Sequence, residues 1–199
     1  MAPKKAAKQE VSAPDVATLP TPALDSIDLR MSYRIARGEQ GVLTFEPYKS
    51  FLLPHWRFKT IAIAKGSSAI LWQAFRHYVQ AGDLVGADMS RKFIQMGMTR
   101  AKRYANHKGG RKYDRSAREI EAEGGARVEL PKSEDHDGRD EKLGASEVFR
   151  EVWGQCTRDD RYLDLKAEFL AEQKAWDREQ EKVMKQDSVA VKAEETDTG

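Results

Sequence analysis

Between Arg91 and Arg118, ten lysines and arginines stand against one carboxylate, Asp114. Within that run, Arg100-Ala101-Lys102-Arg103-Tyr104-Ala105-Asn106-His107-Lys108-Gly109-Gly110-Arg111-Lys112-Tyr113 interleaves guanidinium forks and ammonium groups with an amide, two aromatic rings and two glycines. The chemistry that this mixture supports is polyanion binding. A helix face followed by a glycine-loosened basic loop presents cations and hydrogen-bond donors at repeated intervals, as a phosphate backbone requires. The candidate phosphate contacts are Arg91, Lys92, Arg100, Lys102, Arg103, Lys108, Arg111 and Lys112. Tyr104 and Tyr113 offer surfaces for base stacking, although the helical phase turns Tyr104 toward the core. The competing reading is a solvated face neutralised by acidic helices elsewhere in the chain.

A second basic group, Tyr33-Arg34-Ile35-Ala36-Arg37 before Gly38-Glu39-Gln40-Gly41, matches neither the GxxxxGK[ST] phosphate loop nor GxGxxG. Arg34 and Arg37 with His107 form a candidate anion pocket, against the plainer reading of a turn in which Glu39 or Glu46 pairs with an arginine. Catalytic patterns are sparse. His55, His77, His107 and His136 share no metal-ligand spacing, and the lone Cys156, beside Trp153, reads as a packing residue. Asp83 and Asp88 read as helix-start carboxylates, with Arg91 as an ion-pair partner. No metal or cofactor is expected.

The formal charge of +2 conceals a segregation. Residues 1–29 carry a net −1, residues 30–118 a net +13, and residues 119–142 and 143–199 a net −5 each. One side is thus suited to a polyanion and another compensates it. The acidic stretch 119–142 directly follows the basic run, so it is expected to compete with a bound polyanion and attenuate its affinity. With 199 residues, 40% hydrophobic and 9% aromatic, the chain has the composition of one folded domain with polar additions. No run of about 18 apolar residues exists to cross a membrane, and Met1 to Lys8 lack a secretory apolar stretch. These features point to an intracellular protein, cytoplasmic or nuclear, with no membrane partner.

The elements that must position the basic run are mostly helical. Thr60 caps a helix to about Gln80, stopped by Gly82, with Ala64, Ser68, Leu71, Phe75, Tyr78 and Val79 on its apolar face. Asp83 opens a second helix to about Lys108, with Ser90, Phe93, Ile94, Gly97, Ala101, Tyr104 and Ala105 sharing one stripe and Arg91, Lys92, Arg100, Lys102 and Arg103 on the opposite arc. Ser146 caps a third, and Asp159 or Asp160 begins a fourth. Ahead of them, Tyr33–Phe45 reads as a small hairpin or irregular element, and two prolines keep 46–58 from forming a long helix. Residues 1–28 read as a disordered leader, 119–142 as a flexible acidic loop, and 186–199 as a disordered tail. The expected architecture is one mostly α domain of about four helices over residues 30–182.

The segments Tyr33–Leu43, Glu46-Pro47-Tyr48-Lys49-Ser50, Leu53–Thr60, Asp88–Phe93 and Arg103–Tyr113 resemble an uncharacterised domain family of bacteria, fungi and large bacterial viruses. The likeness is strongest over residues 33–113. It implies an intracellular domain and no particular chemistry. The resulting expectation is a non-enzymatic nucleic-acid-binding protein. The alternatives are an assembly module that meets an acidic protein partner and an enzyme acting on a phosphorylated substrate.

Overall fold

The computed structural model describes residues 16–133 and 135–197. Among them, eight α-helices run in the order α1 (Pro22–Asp25), α2 (Ile27–Ser32), α3 (Tyr48–Leu52), α4 (Ile61–Ala81), α5 (Leu84–Asn106), α6 (Ala117–Glu123), α7 (Arg139–Thr157) and α8 (Asp160–Asp197). The four long helices correspond to the four expected, and the predicted caps hold for α4 and α5. Thr60 caps α4 by accepting from the Ile63 N–H at 3.2 Å, and Gly82 ends it in the left-handed region at φ 79°. Asp83 caps α5 through Gly86 N at 3.0 Å.

The four short helices make the count larger than the expected four. α1 and the first two residues of α2 fall in the stretch read as a leader, where Val16 and Ala23 are buried and His77 meets the Leu19 carbonyl at 2.9 Å. The remainder of that stretch, residues 1–15, lies outside the described residues. In the stretch read as a tail, the helix continues to Asp197, and residues 198 and 199 lie outside the described residues. Residues 33–47 form irregular turns, and no strand is formed among the described residues.

The acidic stretch also has structure. Ser116 and Glu119 close a reciprocal capping box on α6, and Tyr113 pairs with Glu129 in an isolated antiparallel bridge. Its last residues already belong to α7, which starts seven residues ahead of Ser146. Ser146 caps nothing: it is buried, and its hydroxyl donates to the Met98 carbonyl at 2.9 Å.

α5 is the axis of the domain, packed chiefly against α7 and α4, with α3 and α8 on its remaining sides. Every residue from Asp83 to Ile94 is buried. This corrects the expected two-faced helix over its first three turns, because residues 33–52 and α8 cover the arc that periodicity assigns to water. The α5–α7 contact is close at Gly97, where an added Cβ would stand 2.6 Å from the Phe149 ring. Gly97→Ala should therefore destabilise the fold by about 1 to 3 kcal/mol in urea unfolding through overpacking. Gly66→Ala, on α4 where a Cβ meets nothing within 4 Å, should stabilise it by up to about 1 kcal/mol. Equal effects at the two positions would contradict the tight α5–α7 contact.

Candidate functional site

Two of the expected phosphate contacts are interior groups. Arg91 is 9% exposed and Lys92 1%, and both face the fully buried carboxylate of Asp88. Arg91 Nε donates to Asp88 Oδ1 at 2.8 Å, and Lys92 Nζ lies 3.5 Å from Oδ2. The hydroxyls of Tyr33 and Tyr162 donate to the same carboxylate at 2.5 and 2.6 Å. Lys92 also donates to the Gln40 carbonyl at 3.1 Å and sits 4.9 Å above the Tyr33 ring. Burial alone would raise the Asp88 carboxyl. The charges of Arg91 and Lys92, with the two tyrosine hydroxyls, overcome that and hold it below its ordinary range. Burial pushes Lys92 below the usual ammonium range against the pull of Asp88. The outer basic face therefore begins at Arg100.

The candidate trio of Arg34, Arg37 and His107 is not assembled. Arg34 makes two 2.7 Å contacts to Asp177 on α8, whereas Arg37 lines a cleft beside Arg91. His107 is buried at the C-cap of α5. It lies sixteen residues past Arg91, about 24 Å along the helix. Neither Glu39 nor Glu46 pairs with an arginine: Glu39 accepts from Thr99 Oγ1 at 2.6 Å, and Glu46 meets Lys49.

The remaining basic residues gather at the far end of α5. Arg100 and Arg103 are half-buried, and Lys102, Lys108 and Arg111 are exposed. Arg103 Nε donates to the Gly110 carbonyl at 2.6 Å, and Arg111 Nη2 donates to the Asp114 carbonyl at 2.6 Å. Carbonyl oxygens thus hold these two guanidinium groups in place while leaving other N–H groups of each to a ligand.

Two residues that the sequence pattern does not single out complete a basic cleft. Arg115 donates to the Ala126 carbonyl at 2.9 Å, and Arg127 lies 4.6 Å from the Tyr113 ring. With Arg103 and Arg111 they line a cleft of about 580 Å³. Its carboxylates, Asp114 and Glu119, are occupied by backbone N–H groups of Val128 and Ser116, which hold both below their ordinary range. Lys112 pairs with Glu129 at 3.3 Å and Arg115 with Glu123 at 3.9 Å, so part of the acidic stretch does neutralise the basic run.

Tyr104, next to the cleft residue Arg103 on α5, lines an aromatic groove. Its ring packs so closely on Gly110 that a Cβ there would come within 2.5 Å, and Gly110 also holds φ 71°, a conformation that favours glycine. The groove, of about 750 Å³, is walled by Leu53, Trp56, Phe58, Ile63 and Tyr104. The Phe58 ring is 4.9 Å from Trp56 and 5.6 Å from Tyr104. Arg57, Lys59 and Lys142 rim the groove, with the Lys142 ammonium 4.9 Å above Phe58. Tyr104 is 37% exposed, so the ring that helical phase turns inward keeps an open edge. The Asn106 backbone carbonyl accepts from Ser133 N at 2.8 Å.

A family model described as a domain of unknown function, DUF4385, matches residues 17–172. The chain belongs to the DUF4385 family. The matched span of this DUF4385 domain contains the Asp88 cluster, the arginine cleft and the aromatic groove, and it starts thirteen residues ahead of the expected boundary at residue 30. No curated protein and no solved structure matches the chain.

Other chemistry-bearing residues sit apart from these clefts. Cys156 is fully buried and its thiol is pushed up to about 12 by that burial, as packing rather than nucleophilic use requires. No group of three His, Cys, Asp or Glu side chains that could hold a metal ion occurs among the described residues.

The Asp88 cluster generates a stability prediction for the DUF4385 domain. Asp88→Asn should cost about 3 to 5 kcal/mol at neutral pH, because two buried cations lose their counter-charge. Since the folded carboxyl titrates below its unfolded value of about 3.9, its contribution is complete above that pH and is lost as pH falls through the lower folded value. Urea unfolding across that acid range should show a steep loss in the unaltered chain and a shallower one in Asp88→Asn. Identical slopes would contradict the charge balance.

Proposed function

We propose that this protein binds single-stranded nucleic acid non-enzymatically, with phosphates at the arginine cleft and bases against the aromatic groove. The observation that carries the reading is that consecutive residues of α5 line the two clefts, Arg103 the arginine cleft and Tyr104 the groove, and both meet Gly110. A single strand exposes alternating charge and flat apolar surface, and recognition without sequence preference combines a cationic track with aromatic stacking. Lys59 and Lys142 add positive charge at the groove itself. A duplex buries its base faces and would leave the groove without a role. The working residues are Arg100, Lys102, Arg103, Lys108, Arg111 and Lys112 from the expected set, joined by Arg115, Arg127, Lys59, Lys142, Phe58 and Tyr104.

The acidic stretch attenuates this binding through particular pairs. Glu129 holds Lys112, and Glu123 approaches Arg115. Both are exposed ion pairs, so each is weak and screened by salt.

The test is a salt series by fluorescence anisotropy with single-stranded DNA, single-stranded RNA, duplex DNA and polyglutamate. Log affinity for single strands should fall linearly with log salt, and replacing Lys102, Lys108 and Arg111 with Ala should reduce the slope by about 2. Phe58→Ala should weaken binding by about 1 to 3 kcal/mol with the slope unchanged, since stacking releases no counterions. Glu123→Gln with Glu129→Gln should tighten binding at low salt and have little effect at high salt. Equal affinity for polyglutamate would instead favour an acidic protein partner, and preference for duplex would remove the role of the groove.

A further inference from the structure

A third cleft, of about 380 Å³, lies beside the inner half of α5, lined by Arg37 and Gly38 of the irregular segment, Arg91, Thr157 at the end of α7, and Tyr162 and Lys166 of α8. Three cations from three separated stretches of chain converge there, and no carboxylate is among the lining residues. Asp88 balances Arg91 from behind, so the charge left to a ligand is that of Arg37 and Lys166.

The three cations differ in how they are held. Arg91 is fixed: Nε donates to Asp88 and to the Tyr162 hydroxyl, and Nη1 donates to Gln95 at 2.9 Å. Its Nη2 donates to none of the described residues. Arg37 is exposed and Lys166 half-buried, and neither side chain has a hydrogen bond or ion pair among the described residues. The exposed pairs that occupy neighbouring cations, Arg34 with Asp177 and Arg161 with Glu168, do not extend to them. The cleft therefore offers one preorganised guanidinium and two available cations from two other stretches of the chain.

We propose that this cleft binds the phosphate group of a small phosphomonoester. Arg37 and Lys166, with the spare Nη2 donor of Arg91, match a dianion better than the single charge of a phosphodiester, and planar guanidinium forks suit phosphate oxygens. The volume is at the low end of ligand pockets, sufficient for a phosphate and a few attached atoms but not for several nucleotides. Ile35 and the exposed side of Leu163 supply an apolar edge for the attached carbon skeleton. The site is separate from the strand-binding reading, because Arg91 and Tyr104 are thirteen residues apart on α5, about 20 Å.

The test uses the full chain, with inorganic phosphate, glycerol 3-phosphate and a 5′-hydroxyl oligothymidylate as probes in calorimetry and in ¹⁵N chemical-shift titration. Inorganic phosphate and glycerol 3-phosphate should bind saturably and shift the amides of residues 35–38 and 157–166. Arg37→Ser and Lys166→Met should each weaken glycerol 3-phosphate by about tenfold, the effect of losing one charge-assisted contact. Arg111→Ser, in the distal cleft, should leave it unchanged. The oligothymidylate should not displace it. Both substituted side chains are outside the buried cluster, and an unchanged amide spectrum elsewhere verifies that the variants fold. Absence of saturable phosphate binding, or unchanged affinity in both variants, would overturn the site whatever the oligonucleotide does. Displacement by the oligothymidylate would reassign the cleft to the strand path.

Discussion

A carboxylate buried near the start of a helix must find its full complement of partners inside the protein, and at Asp88 this requirement organises the domain. Tyr33 follows α2, Arg91 and Lys92 belong to α5 itself, and Tyr162 comes from α8, so satisfying one side chain fixes three parts of the chain. A second buried aspartate repeats the logic one turn and a half earlier: Asp83 accepts from the Tyr48 hydroxyl at 2.5 Å, and that hydroxyl accepts from the Ala23 N–H at 2.9 Å. The two aspartates tie α1, α2, α3 and α8 to the axis that α4 and α7 cover from the other sides. Buried polar clusters of this kind tolerate few alternative arrangements, because any slip leaves a charge unpaired.

That fixed inner half lets the outer half of α5 act as a stiff arm. Tyr104 is delivered between Phe58 and Gly110, and the clasp formed by residues 111–130 folds back to place Arg115 and Arg127 opposite Arg103 and Arg111. Cations committed to Asp88 maintain the fold, whereas Arg103 farther along the same helix, and Arg111 just past its end, are held by carbonyl oxygens and keep donors to spare. The same residue types thus serve two purposes, separated by depth of burial.

Much of this was legible in the residues. Thr60, Asp83 and Gly82 mark helix ends by their capping chemistry, and the apolar spacing of Ala64 to Val79 finds the buried face of α4. The family likeness over 33–113 falls inside the matched span. Periodicity fails at Arg91 and Lys92 because it assumes that charge faces water; the i, i+3 and i, i+4 spacing from Asp88 was the signal of an internal pair, but the tyrosines that make burial tolerable come from 55 and 74 residues away. Composition misleads over 119–142 for a related reason. Acidic residues with glycine and proline suggest a loop, yet the Ser116/Glu119 capping box and the Tyr113–Glu129 bridge depend on local reciprocity and a partner strand segment that composition does not register. The aromatic groove joins residues 53–63, 104 and 142, and no linear pattern connects them.

The central functional claim is that bases lie against the rings beside Tyr104 while phosphates meet the arginine cleft. Ultraviolet cross-linking of oligouridylate to the full chain, with the adducts located by mass spectrometry, tests that contact at the level of single side chains. The account predicts adducts on Trp56, Phe58 or Tyr104, suppressed by competing single-stranded DNA. Adducts confined to α8, or a complete absence of adducts at these three rings under conditions where the oligonucleotide binds, would contradict it.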